Sequence, residues 1–329
     1  MWPTHEQELD PCDFGKRQGK LRIALKEKNR MKYVNTSTLP VVVSYKENLS
    51  AEELKDLALQ LRRDVIELTW FSGTQSSHLG GELSAAEIMA VLYGRILKLD
   101  PAHPNREERD RVILSKGHAS AVAYAAMSFR GFFPRDMLWN EFNRVGGKLQ
   151  EHANMELPGI EAPTGSLGMG LSNGAGMAWA AKHRYSDSTP PYRIYVILSD
   201  GDCTEGQTWE AMMCASHFKL DNLIAIVDYN KYIISGTTYD VMELEPFTAK
   251  WESFGWHVQT VEDGHNVGEL IVAIEKAHFP ETAAGKPRVV IANTIKGKGI
   301  AFIEENAVNW HAGHLDEKLY EQCKKELGL

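Results

Sequence analysis

Residues 195–236 read YVILSDGDCTEGQTWEAMMCASHFKLDNLIAIVDYNKYIISG, and this stretch decides the fold. Tyr195 to Leu198 and Leu223 to Val227 are short apolar runs of the kind found in strands buried on both faces. The residues between them turn helical near Glu205 and supply the crossover that parallel strands require. In open α/β sheets ligands bind beyond the carboxyl ends of the strands. The first run ends at Ser199-Asp200-Gly201 and the second at Asp228-Tyr229-Asn230, so Asp200 and Asn230 are expected side by side at that edge. Gly201 has no side chain to keep an anion from the backbone. The helix N-terminus that follows offers free N–H donors and a positive dipole end. One carboxylate, one amide oxygen and a main-chain carbonyl suit a hard cation, Mg2+ or Ca2+, bound to phosphates.

Outward from this stretch the same alternation continues. Val289 to Ala292 is a third apolar run. Upstream, Ser50 with Glu53 forms a capping box ahead of Leu54, Leu57, Ala58, Leu61, Val65 and Leu68 at helical spacing. Ser84 with Glu87 has the same form ahead of Ile88, Met89, Val91 and Leu92. Strands alternating with helices predict a single α/β domain over 46–329, with a mainly parallel central sheet flanked by helices. Residues 1–45 read as a separate, partly basic extension. Lys16, Arg17, Lys20, Arg22, Lys26, Lys28, Arg30 and Lys32 face only Glu27 there, and Val41 to Val43 is a candidate short strand.

The net charge of -8 argues against a nucleic-acid binder, which needs a basic surface. No apolar run approaches the roughly 20 residues that cross a bilayer. The start, with Trp2, Pro3, His5, Glu6 and Glu8, lacks the form of a signal peptide, so a cytoplasmic protein is expected. Cys12, Cys203, Cys214 and Cys323 contain no C-x-x-C pair and read as reduced thiols.

The run around Asp200 resembles the thiamine diphosphate signature, Gly-Asp-Gly followed by a distant Asn. The resemblance implies a thiamine diphosphate-binding fold, with Asp200 and Asn230 as metal ligands and Tyr232 giving its main-chain carbonyl. It also implies that Glu205 supports the loop. Ser199 stands where the family has glycine, and its N–H can still donate. Four further segments resemble transketolases: Ser77-His78-Leu79-Gly80-Gly81, Ser115-Lys116-Gly117-His118-Ala119-Ser120, Thr164 to Leu171, and Lys296-Gly297-Lys298-Gly299 followed by Trp310-His311. By that resemblance Gly165, Ser166 and Leu167 belong to the turn beneath the thiazolium ring, and Gly201 contacts the cofactor. His78, His118 and His311 would line the diphosphate and the substrate channel. His152 would contact the donor ketose, although Glu151-His152-Ala153-Asn154 replaces the family's Gly-His-Pro and acidic residue.

The histidines read this way on chemical grounds too. Each of His78, His118 and His311 sits at a glycine-rich break, where a neutral imidazole can donate to oxygen and pass protons near neutral pH. His5, His103, His183, His217, His257 and His278 read as surface or packing residues, with His265 and His314 open. Full-length transketolases carry two later domains, and the first of these binds the pyrimidine of the cofactor. The resemblance therefore implies the N-terminal subunit of a split transketolase, moving a two-carbon ketol unit from a ketose to an aldose. It would act only with a C-terminal subunit that carries the pyrimidine-binding domain, as an α2β2 assembly. Three alternatives stand beside it: the alpha subunit of a thiamine-dependent 2-oxoacid dehydrogenase, a specialised transketolase for acyl or sulfo-sugar donors, and a non-catalytic stabilising subunit.

Overall fold

No residue of the strand Ile194–Ser199 is exposed, because successive side chains point to opposite faces and each face meets other parts of the chain. The computed structural model describes residues 45–73, 76–186, 188–279 and 285–329. Among them, β1 (Arg111–Leu114), β2 (Ile194–Ser199), β3 (Leu223–Tyr229), β4 (His257–Val261) and β5 (Arg288–Asn293) form one sheet. The order is β1-β2-β3-β5-β4 and every pairing is parallel, as the apolar runs predicted. Ser199 lies opposite Asp228 in the ladder, which brings the residues just past β2 and β3 level with each other.

The principal helices are α1 (Ala51–Phe71), α2 (Leu79–Ser84), α3 (Ala86–Val91), α4 (Ser120–Arg130), α5 (Met169–Arg184), α6 (Gly206–His217), α7 (Phe247–Ser253), α8 (Val267–His278) and α9 (Glu317–Leu327). Ile194, Val196, Leu198, Leu223, Ala225 and Val227 share one face, where Leu171 and Ala178 of α5, Met212 of α6 and Trp251 of α7 close the core. On the opposite face, α8 reaches the sheet through His278, whose Nδ1 is 2.6 Å from the Tyr195 hydroxyl.

The capping box before α1 is present. Ser50 N donates to Glu53 Oε2 at 2.9 Å, and the serine side chain accepts from Glu53 N. Leu54, Leu57, Ala58, Leu61, Val65 and Leu68 are all buried. The second expected box does not form. Ser84 closes α2, Ala85 joins it to α3, and no side chain caps the junction. Ser84 Oγ instead donates to Asp228 Oδ2 at 2.6 Å, while Glu87 takes Arg62 and His265. A buried carboxylate on β3 needs donors more than a helix start needs a cap.

Cys203, Cys214 and Cys323 are free thiols. No described helix is long and apolar enough to cross a membrane. Apart from Tyr45, the extension over 1–45 lies outside the described residues, with its basic run, Cys12 and the candidate strand at Val41 to Val43.

Candidate active site

The segments beyond the carboxyl ends of β1, β2, β3 and β5 surround one cleft of about 290 Å³. His118 enters it after β1, Gly201 and Glu205 after β2, Asn230 and Tyr232 after β3, and Lys296 after β5. His78, at the start of α2, His152 and His311 complete the wall. Gly165 and Leu167 also line it, whereas Ser166 between them is exposed and does not. Gly165 has φ +145°, and a Cβ there would lie 2.8 Å from His152 Cδ2, so only glycine lets the turn pass that ring.

Four imidazoles converge. The His78 ring centre is 5.0 Å from His118, 5.3 Å from His311 and 6.0 Å from His152, and His118 is 5.3 Å from His311. Burial holds all four below the ordinary histidine value, with neighbouring Lys116, Lys296 or one another adding to the effect. They are neutral near pH 7. Lys296 Nζ lies 3.2 Å from both His311 Nδ1 and the Ile233 carbonyl, and burial lowers it to about 8. The sequence motif contained this lysine without marking it as a site residue.

Asp200 is fully buried directly beneath the cleft. Its oxygens accept from Asn230 N at 3.0 Å and Lys231 N at 3.1 Å. Burial first, then the charge of Asp228, pushes its carboxyl up to about 8. Asn230 Oδ1 accepts from Tyr232 N at 3.1 Å. The turn's backbone bonds run from Ile233 N to Gly236 O and from Thr238 N to Lys231 O, which leaves the Tyr232 carbonyl outside them. Among the described residues no three His, Cys, Asp or Glu side chains could hold a metal together. A buried carboxylate without a paired cation, beside an amide oxygen and a carbonyl, fits a hard cation completed by an anionic ligand.

The loop after β2 is held by a residue that the sequence reading passed over. Asp202 is fully buried and accepts from Gly168 N at 2.9 Å, from Ser199 N and Oγ at 2.8 Å each, and from the Ser115 hydroxyl. It ties the β1 end, the Gly165 turn and the β2 end together. Ser199, which stands where the motif has glycine, uses its hydroxyl in this network. Glu205 is the N-cap position of α6 and lies exposed at the rim of the cleft. The second acidic residue of Ser-Asp-Gly-Asp was the available signal.

Lys116 and Asp228 form a fully buried ion pair below the cleft, and Lys116 Nζ also donates to the Gly81 carbonyl at 2.7 Å. Removing one partner strands the other charge. Lys116→Ala is therefore expected to cost about 3–5 kcal/mol of stability in urea unfolding. Lys55→Ala, which breaks only an exposed pair with Glu52, should leave the midpoint unmoved.

His311 provides a pH test. Burial, then Lys296, His78 and Lys116, hold its ring down to about 3, against an unfolded value near 6.5. Between these values the unfolded chain binds a proton that the folded chain does not. This contribution to stability is complete above about pH 6.5 and falls as pH drops toward about 3. From about pH 7.5 to about pH 5 the urea midpoint should drop further in the wild type than in His311→Gln. Equal drops would mean the ring is not held neutral.

The remaining histidines lie elsewhere. His183 stacks on Trp179 with ring centres 3.7 Å apart, on the exposed side of α5. His265 bridges Glu87 and the amide of Ile295, away from the cleft.

Residues 60–329 match the family model described as transketolase, thiamine diphosphate binding domain. The chain is 45% identical over 251 residues to the 6-deoxy-6-sulfo-D-fructose transketolase subunit SqwG of Clostridium sp. (strain MSTE9), covering 76% of this chain and 88% of that protein. It is 36% identical over 279 residues to an apulose-4-phosphate transketolase subunit of Phocaeicola vulgatus, covering 85% and 95%. Among solved structures it superposes on transketolase from Campylobacter jejuni with a TM-score of 0.77 at 31% identity. That match covers 85% of this chain but only 43% of the solved one, so the chain spans less than half of that transketolase.

Proposed function

Because the chain belongs to the transketolase family through its thiamine diphosphate binding domain, we propose that it is the diphosphate-binding subunit of a two-chain transketolase. The observation that carries this is the convergence of four imidazoles, Lys296 and Asn230 on one cleft at the carboxyl edge of the sheet, with Asp200 buried beside Asn230. The family match favours it over a 2-oxoacid dehydrogenase subunit.

In this proposal Asp200, Asn230 and the Tyr232 carbonyl would hold Mg2+ or Ca2+, which would supply positive charge for the diphosphate. Gly165, Leu167 and Gly201 form the bed of the cofactor, with Ser166 in the same turn but outside the lining and Glu205 at its rim. Thiamine diphosphate, when bound, supplies the carbon centre that lets a ketose carbon–carbon bond break and reform. His78, His118 and His311, being neutral, donate to or accept from diphosphate and sugar oxygens. His152 meets the donor near its hydroxymethyl end, and Lys296 offsets anionic charge. A separate subunit brings the pyrimidine-binding domain, in an α2β2 assembly. The free thiols support a reducing, cytoplasmic setting.

The names of the two relatives point to ketoses outside the common sugar phosphates. A coupled assay of the assembled enzyme should therefore include 6-deoxy-6-sulfofructose and apulose 4-phosphate beside common ketose phosphates and 2-oxoacids. On the best donor, His118→Ala or His311→Ala should lower turnover by on the order of 100-fold. His183→Ala should not change it. Equal losses at all three, or turnover with 2-oxoacids alone, would overturn the reading.

A further inference from the structure

Behind His78, in the wall of the cleft, stands a carboxyl that the proposed reaction does not use. Glu151 turns Oε1 onto His78 Nδ1 at 2.6 Å, and the two side chains are only 15% and 20% exposed. Its other oxygen accepts from Asn143 Nδ2 at 3.1 Å. The orientation of that amide is fixed, because Nδ2 also donates to the Ser76 carbonyl at 3.0 Å and a carbonyl only accepts. Oε2 is thus an acceptor, and a proton on this carboxyl rides on Oε1, facing the ring.

Burial pushes both partners toward neutrality, raising Glu151 and lowering His78. Glu82, fully buried nearby and bonded to Ser77 and the Ala121 amide, opposes a second negative charge. A neutral acid and a neutral imidazole make the 2.6 Å bond by donation from Oε1 to Nδ1. The ring's own hydrogen is then on Nε2, which has no hydrogen bond to protein among the described residues.

We propose that Glu151 is a positioning residue that holds His78 as the Nε2–H tautomer, giving the cleft a fixed donor for a substrate or diphosphate oxygen. For its substrate this rests on the functional reading above; for its geometry it does not. If Glu151 ionises, the bond persists only with hydrogen on Nδ1, and Nε2 becomes an acceptor. The donor is therefore present below that ionisation and lost as pH rises through it. Glu82, Tyr124, Lys296, His118, His152 and His311 face the pair from the surrounding elements and bias where this happens.

The tautomer is read directly by long-range 1H–15N correlation of the histidine-labelled full chain, with His78 assigned through His78→Gln. At neutral pH the Nε2–H pattern is expected, converting as pH rises. In Glu151→Gln the amide oxygen stays on Asn143 and the NH2 faces Nδ1, so the Nε2–H pattern should persist at all pH values. In Glu151→Leu the pattern should become mixed. With the partner subunit, Glu151→Leu is expected to lower kcat/KM about tenfold, the size of one hydrogen bond, and E151Q to rescue it without the alkaline decline. If Glu151→Leu does not fold, the pH course of wild type against E151Q decides. An Nδ1–H ring in the wild type at neutral pH, or an unchanged tautomer in Glu151→Leu, would overturn the proposal. Absence of ketol transfer in the wild-type assembly would sink the transketolase reading and leave the tautomer to the spectra.

Discussion

Asp200→Ala, assembled with its partner, is expected to bind Mg2+ and thiamine diphosphate at least about 100-fold more weakly than the wild type. Losing a group that merely orients a metal ligand already costs roughly 10–100-fold, and Asp200 is the one carboxylate in the proposed donor set. Its carboxyl is fully buried and pushed up to about 8, so it is poorly placed as a free anion and well placed under a cation. The fold should persist, because removing an unfavourably buried acid offsets the cost of leaving two backbone amides without their acceptor. Asp200→Asn keeps an oxygen for those amides and serves as the folding control. Calorimetric titration reads the affinity, and an unchanged value in folded Asp200→Ala would remove Asp200 from the metal site.

The purified chain alone is expected to show no ketol transfer, and mixing it with a separate subunit should restore turnover from baseline. The chain spans 43% of the solved transketolase it matches, and its cleft presents groups for a metal, a diphosphate and part of a donor. The segment after Asn230 exposes Ile234, Tyr239, Val241 and Met242, apolar surface of a kind that marks partner contacts. Obligate interfaces commonly bury on the order of 2,000–5,000 Å², and closed two-fold assemblies predominate, so two copies of each chain are expected on sizing with light scattering. Robust transfer by this chain, with any partner excluded by mass spectrometry, would overturn the two-chain reading.

Legibility followed the range of the interactions. β2, β3 and β5 were readable because strands buried on both faces carry unbroken apolar runs, with polar residues only toward their ends. The edge strands were not: β1 has only four residues, and β4 reads His-Val-Gln-Thr-Val with only Val261 fully buried. The cap at Ser50 was legible because a capping box closes within three residues. Ser84 and Glu87 carried the same local pattern and went elsewhere.

The sequence by itself determined the parallel sheet, the first helix cap, and the meeting of Asp200 with Asn230, since parallel neighbours of matched length must end together. Only the tertiary structure decided which polar groups pair: Ser84 with Asp228, Lys116 with Asp228, and Glu151 with His78. Those partners lie 144, 112 and 73 residues apart in the chain. Periodicity and spacing report which side of an element is buried. They carry no record of which distant donor will reach a buried acceptor, because that choice is made by the cost of leaving either group unpaired once the core has closed.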